Sequence, residues 1–470
     1  MAPGAQTTAG ATRAAPNIWD PALRSLTLGL TLVVVATAFE ALAVATILPT
    51  TLNELGGLAY YGWTFSAFML ANIVGITIGG SESDRWGLSR LFVVGTALFC
   101  FGLAVSGFAP AMLVIVGGRV LQGFGAGLLS TVAYAAIARA YAVEHQPHML
   151  ATLSSAWVIP SLLGPALAGL VAEHLSWRWV FLGLVPLPLI AATLALPALR
   201  ALPRQGDPAE STGQRWLALQ LGLGATAALS GLGLHPWALA VLLVAGGSVI
   251  ATHALRRLLP AGTLTARAGL PAAVACMGCI TFAFFGTEAF LPLALSHVRK
   301  APVLLSGLAL TSAALLWTAG AWLPVRAARR VSRRTIIQSG LGILALGVLG
   351  IYALLTPAVP AASAVVSWGI AGLGMGLAFT TTSAAILEAA KPNETGSASA
   401  ALQLAQVLGG AIATGIGGAV VAASFAGDPP TFGIRIVDAI MLAAIGLAMF
   451  TARRIPNTAL HTETSSGAND

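Results

Sequence analysis

Residues 33–48 read VVVATAFEALAVATIL, an apolar run broken by the single charge of Glu40. A run of this length and character is close to the roughly 20 apolar residues that a helix needs to cross a bilayer. Working outward, thirteen further runs follow it, giving spans at about 25–48, 59–80, 91–109, 111–138, 150–172, 179–198, 216–234, 237–255, 270–295, 304–325, 335–355, 360–388, 397–425 and 433–452. The expectation is an all-α membrane protein with fourteen transmembrane helices.

Composition and charge support that threading. With 57% hydrophobic and 9% charged residues and a mean hydropathy of +0.85, the 470-residue chain does not describe a water-soluble globule. If the N-terminus is cytoplasmic, nineteen of the 24 basic residues fall on inner segments, four (Arg178, Arg299, Lys300 and Arg435) at outer edges, and Arg119 inside a span. Lys and Arg mark the cytoplasmic side, so both termini are expected there. The net charge of +8 then reflects topology and no nucleic-acid surface, because no soluble segment is long enough to carry one. Only Lys300 and Lys391 are lysines among the basic residues, a usage that points to a GC-rich bacterial genome and a bacterial cell membrane.

The runs group as six, two and six. We expect a cytoplasmic tail at 1–24, a six-helix bundle at 25–198, a linker at 199–215, an inserted helical hairpin at 216–255 turning at His235 and Pro236, a second linker at 256–269, a second six-helix bundle at 270–452 and a tail at 453–470. Both bundles carry a basic loop after their second span, Asp84 to Arg90 and Arg326 to Arg334, and one glutamate in their first, Glu40 and Glu288. Such correspondence suggests an internal duplication, the usual build of transporters that rock one half against the other.

Ionisable groups within the spans are the candidate machinery. An ionised side chain at that depth costs at least ~3 kcal/mol on insertion scales, and desolvation disfavours the charged form of a carboxyl unless a cation compensates. Counting from the span edges, Glu40, Arg119 and Glu288 all lie about 10–12 Å below the outer surface at ~1.5 Å per residue. One reading is a shared polar cavity in which Glu40 exchanges a proton while Arg119 and Glu288 tune it; the other is a structural ion pair such as Glu40 with Arg119. Asp438 is expected to pair locally with Arg435 on one helix face, and Glu388 to reach the inner surface. Phe39, Gln122, Trp157, Phe284, Phe285, Trp317, Gln403 and Gln406 would supply a greasy pocket with few hydrogen-bonding groups, suited to lipophilic, often cationic compounds. Cys276 and Cys279 read as packing residues. No phosphate-binding loop or zinc motif occurs, so neither ATP drive, nor a metal or other cofactor, nor an enzymatic reaction is expected.

The segment Gly80-Ser81-Glu82-Ser83-Asp84-Arg85-Trp86-Gly87-Leu88-Ser89-Arg90 resembles the inner-loop signature of the major facilitator superfamily. Arg119-Val120-Leu121-Gln122-Gly123-Phe124-Gly125 is similar to its fourth-span signature, and Gly164-Pro165-Ala166-Leu167-Ala168-Gly169 to the fifth-span signature of its exporters. Trp177-Arg178-Trp179-Val180-Phe181 before Pro186, with Glu40 nine residues before Pro49, resembles the fourteen-span drug:proton antiporter branch. The sequence departs from these patterns at Leu88, Ser89, Ala151 and Pro160, and has Glu40 where an aspartate is common. The resemblance implies a monomeric exporter of small lipophilic molecules in exchange for protons. It also implies a conformational gate of Gly80, Asp84, Arg85, Gly87 and Arg90, with Gly164 and Pro165 bending the fifth span. An exporter of one endogenous metabolite or lipid, and a non-transporting membrane receptor or scaffold, remain alternatives.

Overall fold

The computed structural model describes residues 18–142, 145–202, 212–232, 237–327, 331–389, 395–424 and 430–456. Among these there is helix and no strand. The first half contains α1 (Pro21–Leu55), α2 (Tyr61–Trp86), α3 (Leu88–Gly107), α4 (Met112–Ala140), α5 (Gln146–Ser155), α6 (Val158–His174), α7 (Arg178–Leu182) and α8 (Pro186–Ala201). Between the halves come α9 (Thr212–Gly231) and α10 (Trp237–Leu258). The second half contains α11 (Leu270–Leu293), α12 (Val303–Ala327), α13 (Arg333–Leu354), α14 (Ser363–Glu388), α15 (Thr395–Ser424) and α16 (Thr431–Ala452). Twelve segments among the described residues are long and apolar enough to cross a membrane. They match twelve of the fourteen expected runs; the fifth and seventh, α5–α6 and α9, are not among them. The expected turn of the hairpin at His235 and Pro236 lies outside the described residues.

The fifth run is two helices for a local reason. Pro160 has no amide hydrogen to give the Ala156 carbonyl, and its ring crowds that oxygen. The helix therefore stops at Ser155 and restarts at Val158, which puts Pro160 in a first turn where proline is tolerated. Gly164 and Pro165, where a bend is expected, both lie inside α6, whose helix continues past them to His174.

Each half is built around a central helix whose glycines let its neighbours touch backbone to backbone. On α4, a methyl group on Gly123 or Gly127 would overlap the α2 carbonyls of Phe68 and Asn72, while one on Gly125 would overlap Gly95 of α3. On α14, Gly372 and Gly376 meet the α12 carbonyls of Ala313 and Trp317, and Gly374 meets Gly340 of α13. The same alternation in both halves gives the internal repeat a physical basis. In lipid, where helices gain little from apolar burial against one another, close packing of this kind drives their association. Large side chains facing away from it, such as Trp237, Leu242 and Val249 on α10, are exposed and suit an acyl environment.

Gly87 alone separates α2 from α3, with φ 81° and ψ 150°. That region is essentially closed to residues with a Cβ, so Gly87→Ala is expected to cost about 1–3 kcal/mol. A drop in the thermal unfolding midpoint of the purified protein reads this out, and an unchanged midpoint would refute it.

The halves meet along α2–α15 and α6–α12, and the polar contacts between them cluster toward the end of the bundle that is poor in arginine. Tyr61 donates to the Ala289 carbonyl at 3.1 Å, and Ser66 and Thr414 share a hydrogen bond of 3.0 Å. Gly62 lies against Gly418, and Gly307 of α12 lies against the Pro165 carbonyl, so the glycine–proline segment does make the expected contact between halves. Glu173 at the end of α6 accepts from the Leu304 amide at 3.2 Å. It thereby covers a free first-turn amide of α12, where helix polarity favours an anion. The α9–α10 pair lies over the α2–α15 seam: Leu221, Ala225 and Leu229 of α9 form one cluster with Leu70 and Ile73 of α2 and Leu408 and Ala411 of α15.

Candidate functional site

α1 and α4 bring Glu40 and Arg119 into a direct ion pair, both side chains almost wholly buried. Arg119 has further partners. Its Nε donates to the Thr64 carbonyl at 2.8 Å, its Nη1 to Gln122 Oε1 at 2.6 Å, and the guanidinium sits 4.2 Å from the centre of the Phe68 ring. Gln122 in turn donates to Ser106 Oγ at 3.0 Å. The cation is thus held from α2 and α4 as well as by the carboxylate. Glu40 is less well provided for: its Oε2 is buried without a hydrogen-bond partner. A buried carboxylate with one unsatisfied oxygen is costly, and a proton or a ligand cation would relieve it.

Glu288 is not drawn into this pair. It is half-buried on α11, one turn from Phe285, and has no ion-pair partner among the described residues. The second half replaces the ion pair with an aromatic contact. Trp368 precedes Gly372 by four residues, as Arg119 precedes Gly123, and it stacks on Phe284 with ring centres 4.8 Å apart. Phe284 is 2% exposed, so it packs in the bundle core and forms no cavity wall, contrary to expectation. Gln122, fully buried in the Arg119 network, is likewise a positioning group and no part of a pocket surface.

The remaining pocket residues divide. Phe285 and Trp317 are half-buried and pack against one another, and Trp317 also meets Phe379. Phe285 and Met69 both approach Gly410 of α15, the helix that carries the half-buried Gln403 and Gln406. Phe39 on α1 fills the space left by Gly164, where an added methyl would stand 3.6 Å from its ring. Trp157 is 46% exposed at the α5–α6 break and stacks on no other ring among the described residues. What emerges is an aromatic surface on α11 and α12 carrying one free carboxyl, facing a first half that carries the ion pair.

Asp438 is a correction. The expected pair with Arg435 does not form; Asp438 is 1% exposed, its Oδ2 has no hydrogen-bond partner, and Arg435 reaches toward the Leu355 carbonyl at 3.5 Å. The face of α16 that packs on α11 takes Asp438 inward, and that neighbour, rather than spacing along one helix, decides its surroundings. Glu388 pairs with Arg333 between α14 and α13. Elsewhere Glu54 at the end of α1 accepts from Trp177 at 2.7 Å and from Arg178 at 2.6 Å, tying α1 to α7. The cysteines are free, and no cluster of potential metal ligands occurs among the described residues.

Of the expected gate, Gly80, Gly87 and Arg90 lie at the α2–α3 corner. The side chains of Asp84 and Arg85, and those of the first turn of α15 up to 397, are outside what the structure describes.

Many apolar helices with charges buried between them are the build of a multi-pass membrane protein. The chain belongs to the Major Facilitator Superfamily, whose family profile matches residues 29–414. It is 27% identical over 438 residues to a probable multidrug-efflux transporter of Mycobacterium tuberculosis (strain ATCC 25618 / H37Rv), covering 87% of this chain and 91% of that one. A multidrug resistance protein B homolog from the same strain is 28% identical over 395 residues, covering 76% of this chain and 68% of the relative. Among solved structures, a bacterial homolog of the human lysosomal transporter Spinster, inward-facing and unoccupied, superposes with a TM-score of 0.67 at 16% identity, covering 93% and 98% of the two chains. A D-xylose-proton symporter gives 0.62 at 17% identity, covering 93% and 98%. At these identities the structures speak for the fold alone.

Proposed function

We propose that this protein exports lipophilic small molecules, multidrug fashion, in exchange for protons that enter through Glu40. The observation that carries the proposal is the buried Glu40–Arg119 pair with one carboxylate oxygen unbonded. Protonation neutralises Glu40 and frees α1 from Arg119, while Thr64, Gln122 and Phe68 keep the cation in place. Because α1 also packs on α11 and α12, a change at this carboxyl is felt where the halves meet. A cationic cargo and a proton would compete for the same negative charge, and such negative coupling is what exchange requires.

In this reading all fourteen runs cross the membrane, with α5–α6 as the fifth crossing and α9 as the seventh, and with the bundle, hairpin and tail boundaries set out above. The arginine-rich end faces the cytoplasm. The seam contacts then close the outer side, and the described conformation is inward-facing, ready to load from the cytoplasm or the inner leaflet. Phe285, Trp317, Phe39, Gln403 and Gln406 offer the cargo surface, with Glu288 a second charge on it. Asp84 would close the inner side by accepting amides at the start of α15 in the opposite state. The names of the curated relatives favour multidrug cargo over a single metabolite.

Inside-out vesicles with an acidified lumen are expected to accumulate a lipophilic cationic dye several-fold over vesicles whose gradient a protonophore has collapsed. Unrelated lipophilic cations should compete. Uptake indifferent to the gradient would sink proton coupling, and competition from one compound alone would favour a dedicated metabolite exporter.

A further inference from the structure

Away from the seam, the first turn of α3 and the last turn of α8 enclose a groove of about 460 Å³ at the arginine-rich end. Among the described residues, Arg90 and Arg200 both line it, no acidic residue does, and neither guanidinium has an ion-pair or hydrogen-bond partner. Its walls are Val93, Val94 and Leu196, and Trp86 stands at its rim.

We propose that this groove binds an acidic phospholipid, its phosphodiester between Arg90 and Arg200 and an acyl chain along Val93, Val94 and Leu196. Three observations favour an anion. Charge complementarity is the first, since guanidiniums match phosphate oxygens in paired hydrogen bonds. The second is the helix start: among the described residues no side chain caps α3, so the polarity of its first turn favours an anion beside Arg90. Third, Trp86 and Val93, 43% and 45% exposed, offer the ring and the apolar flank that a headgroup and its chain meet at a membrane interface. A soluble phosphate would satisfy the charges but leave the apolar wall uncovered, which selects the lipid.

Native mass spectrometry of the intact purified protein, with equimolar phosphatidylglycerol and phosphatidylcholine, tests it. The wild type is expected to retain the acidic lipid by roughly tenfold over the zwitterionic one, the ratio that ~1.4 kcal/mol of differential binding gives. Arg200→Gln should cut phosphatidylglycerol retention several-fold and leave phosphatidylcholine unchanged. Leu196→Trp, which fills the groove without altering charge, should do the same and keeps the test valid if the arginine variant does not fold. Equal retention of the two lipids by the wild type overturns the proposal on its own. So does displacement of phosphatidylglycerol by millimolar inorganic phosphate, which would mark a free-anion site, and so does unchanged retention in both variants.

Discussion

Glu40→Gln is expected to bring gradient-driven dye accumulation down to the level of vesicles without a gradient, erasing the several-fold excess of the wild type, since a positioned proton-transfer group contributes at least on the order of 100-fold to a rate. The amide keeps the shape of the side chain but neither binds nor releases a proton near neutral pH. It also leaves the buried Arg119 without its counter-charge. The cation retains the Thr64 carbonyl, the Gln122 amide oxygen and the Phe68 ring, so the helix bundle should survive and cargo should still exchange against cargo without net proton flow. Retention of both gradient-driven uptake and acid release by the variant would mean that protons enter elsewhere, with Glu288 or Asp438 next to test.

Arg119→Met is expected to cost about 3–5 kcal/mol, the price of leaving one member of a buried pair uncompensated. The charge left behind belongs to Glu40, which then has neither the guanidinium nor any hydrogen bond for its second oxygen. Removing both charges in Glu40→Leu/Arg119→Met should restore most of that stability, because the apolar pair asks nothing of the bilayer core, while proton-driven export stays absent. Thermal unfolding of the four proteins reads the coupling between the two sites. If the double variant falls below the wild type by the sum of the two single-variant losses, the pair does not act as a unit. The contrast separates the structural and functional readings of one contact: the pair holds the bundle in either case, but only a proton-exchanging Glu40 makes export vanish when stability is recovered.

Much of this was legible in the chain. Apolar runs and the bias of arginine gave the spans, and a count of residues from span edges placed Glu40 and Arg119 at one depth, where α1 and α4 do join them. What the count lacked was rotation. Depth says how far along a helix a group lies but not which neighbour its face meets, so Glu288 shares the level and stays apart. Asp438 is the same failure in reverse: three residues from Arg435 on one helix, it looks locally paired, yet packing of α16 on α11 turns it inward. The α5–α6 break is legible too, since Pro160 in mid-run removes a specific hydrogen bond. By contrast, the stacking of Phe284 on Trp368 needed the neighbours of α14: the triples Gly123, Gly125, Gly127 and Gly372, Gly374, Gly376 are legible as close-packing positions, but not which helices they bring together.

The α9–α10 pair bears on the routes open to cargo under the proposed function. A two-bundle transporter has two flanks through which a solute dissolved in lipid can slip sideways toward the centre. Here one flank is shuttered by Leu221, Ala225 and Leu229 lying over Leu70 and Leu408. If cargo enters from the bilayer in the proposed export cycle, it is left with the opposite seam, between α6 and α12, whose contact of Gly307 with Pro165 would have to part.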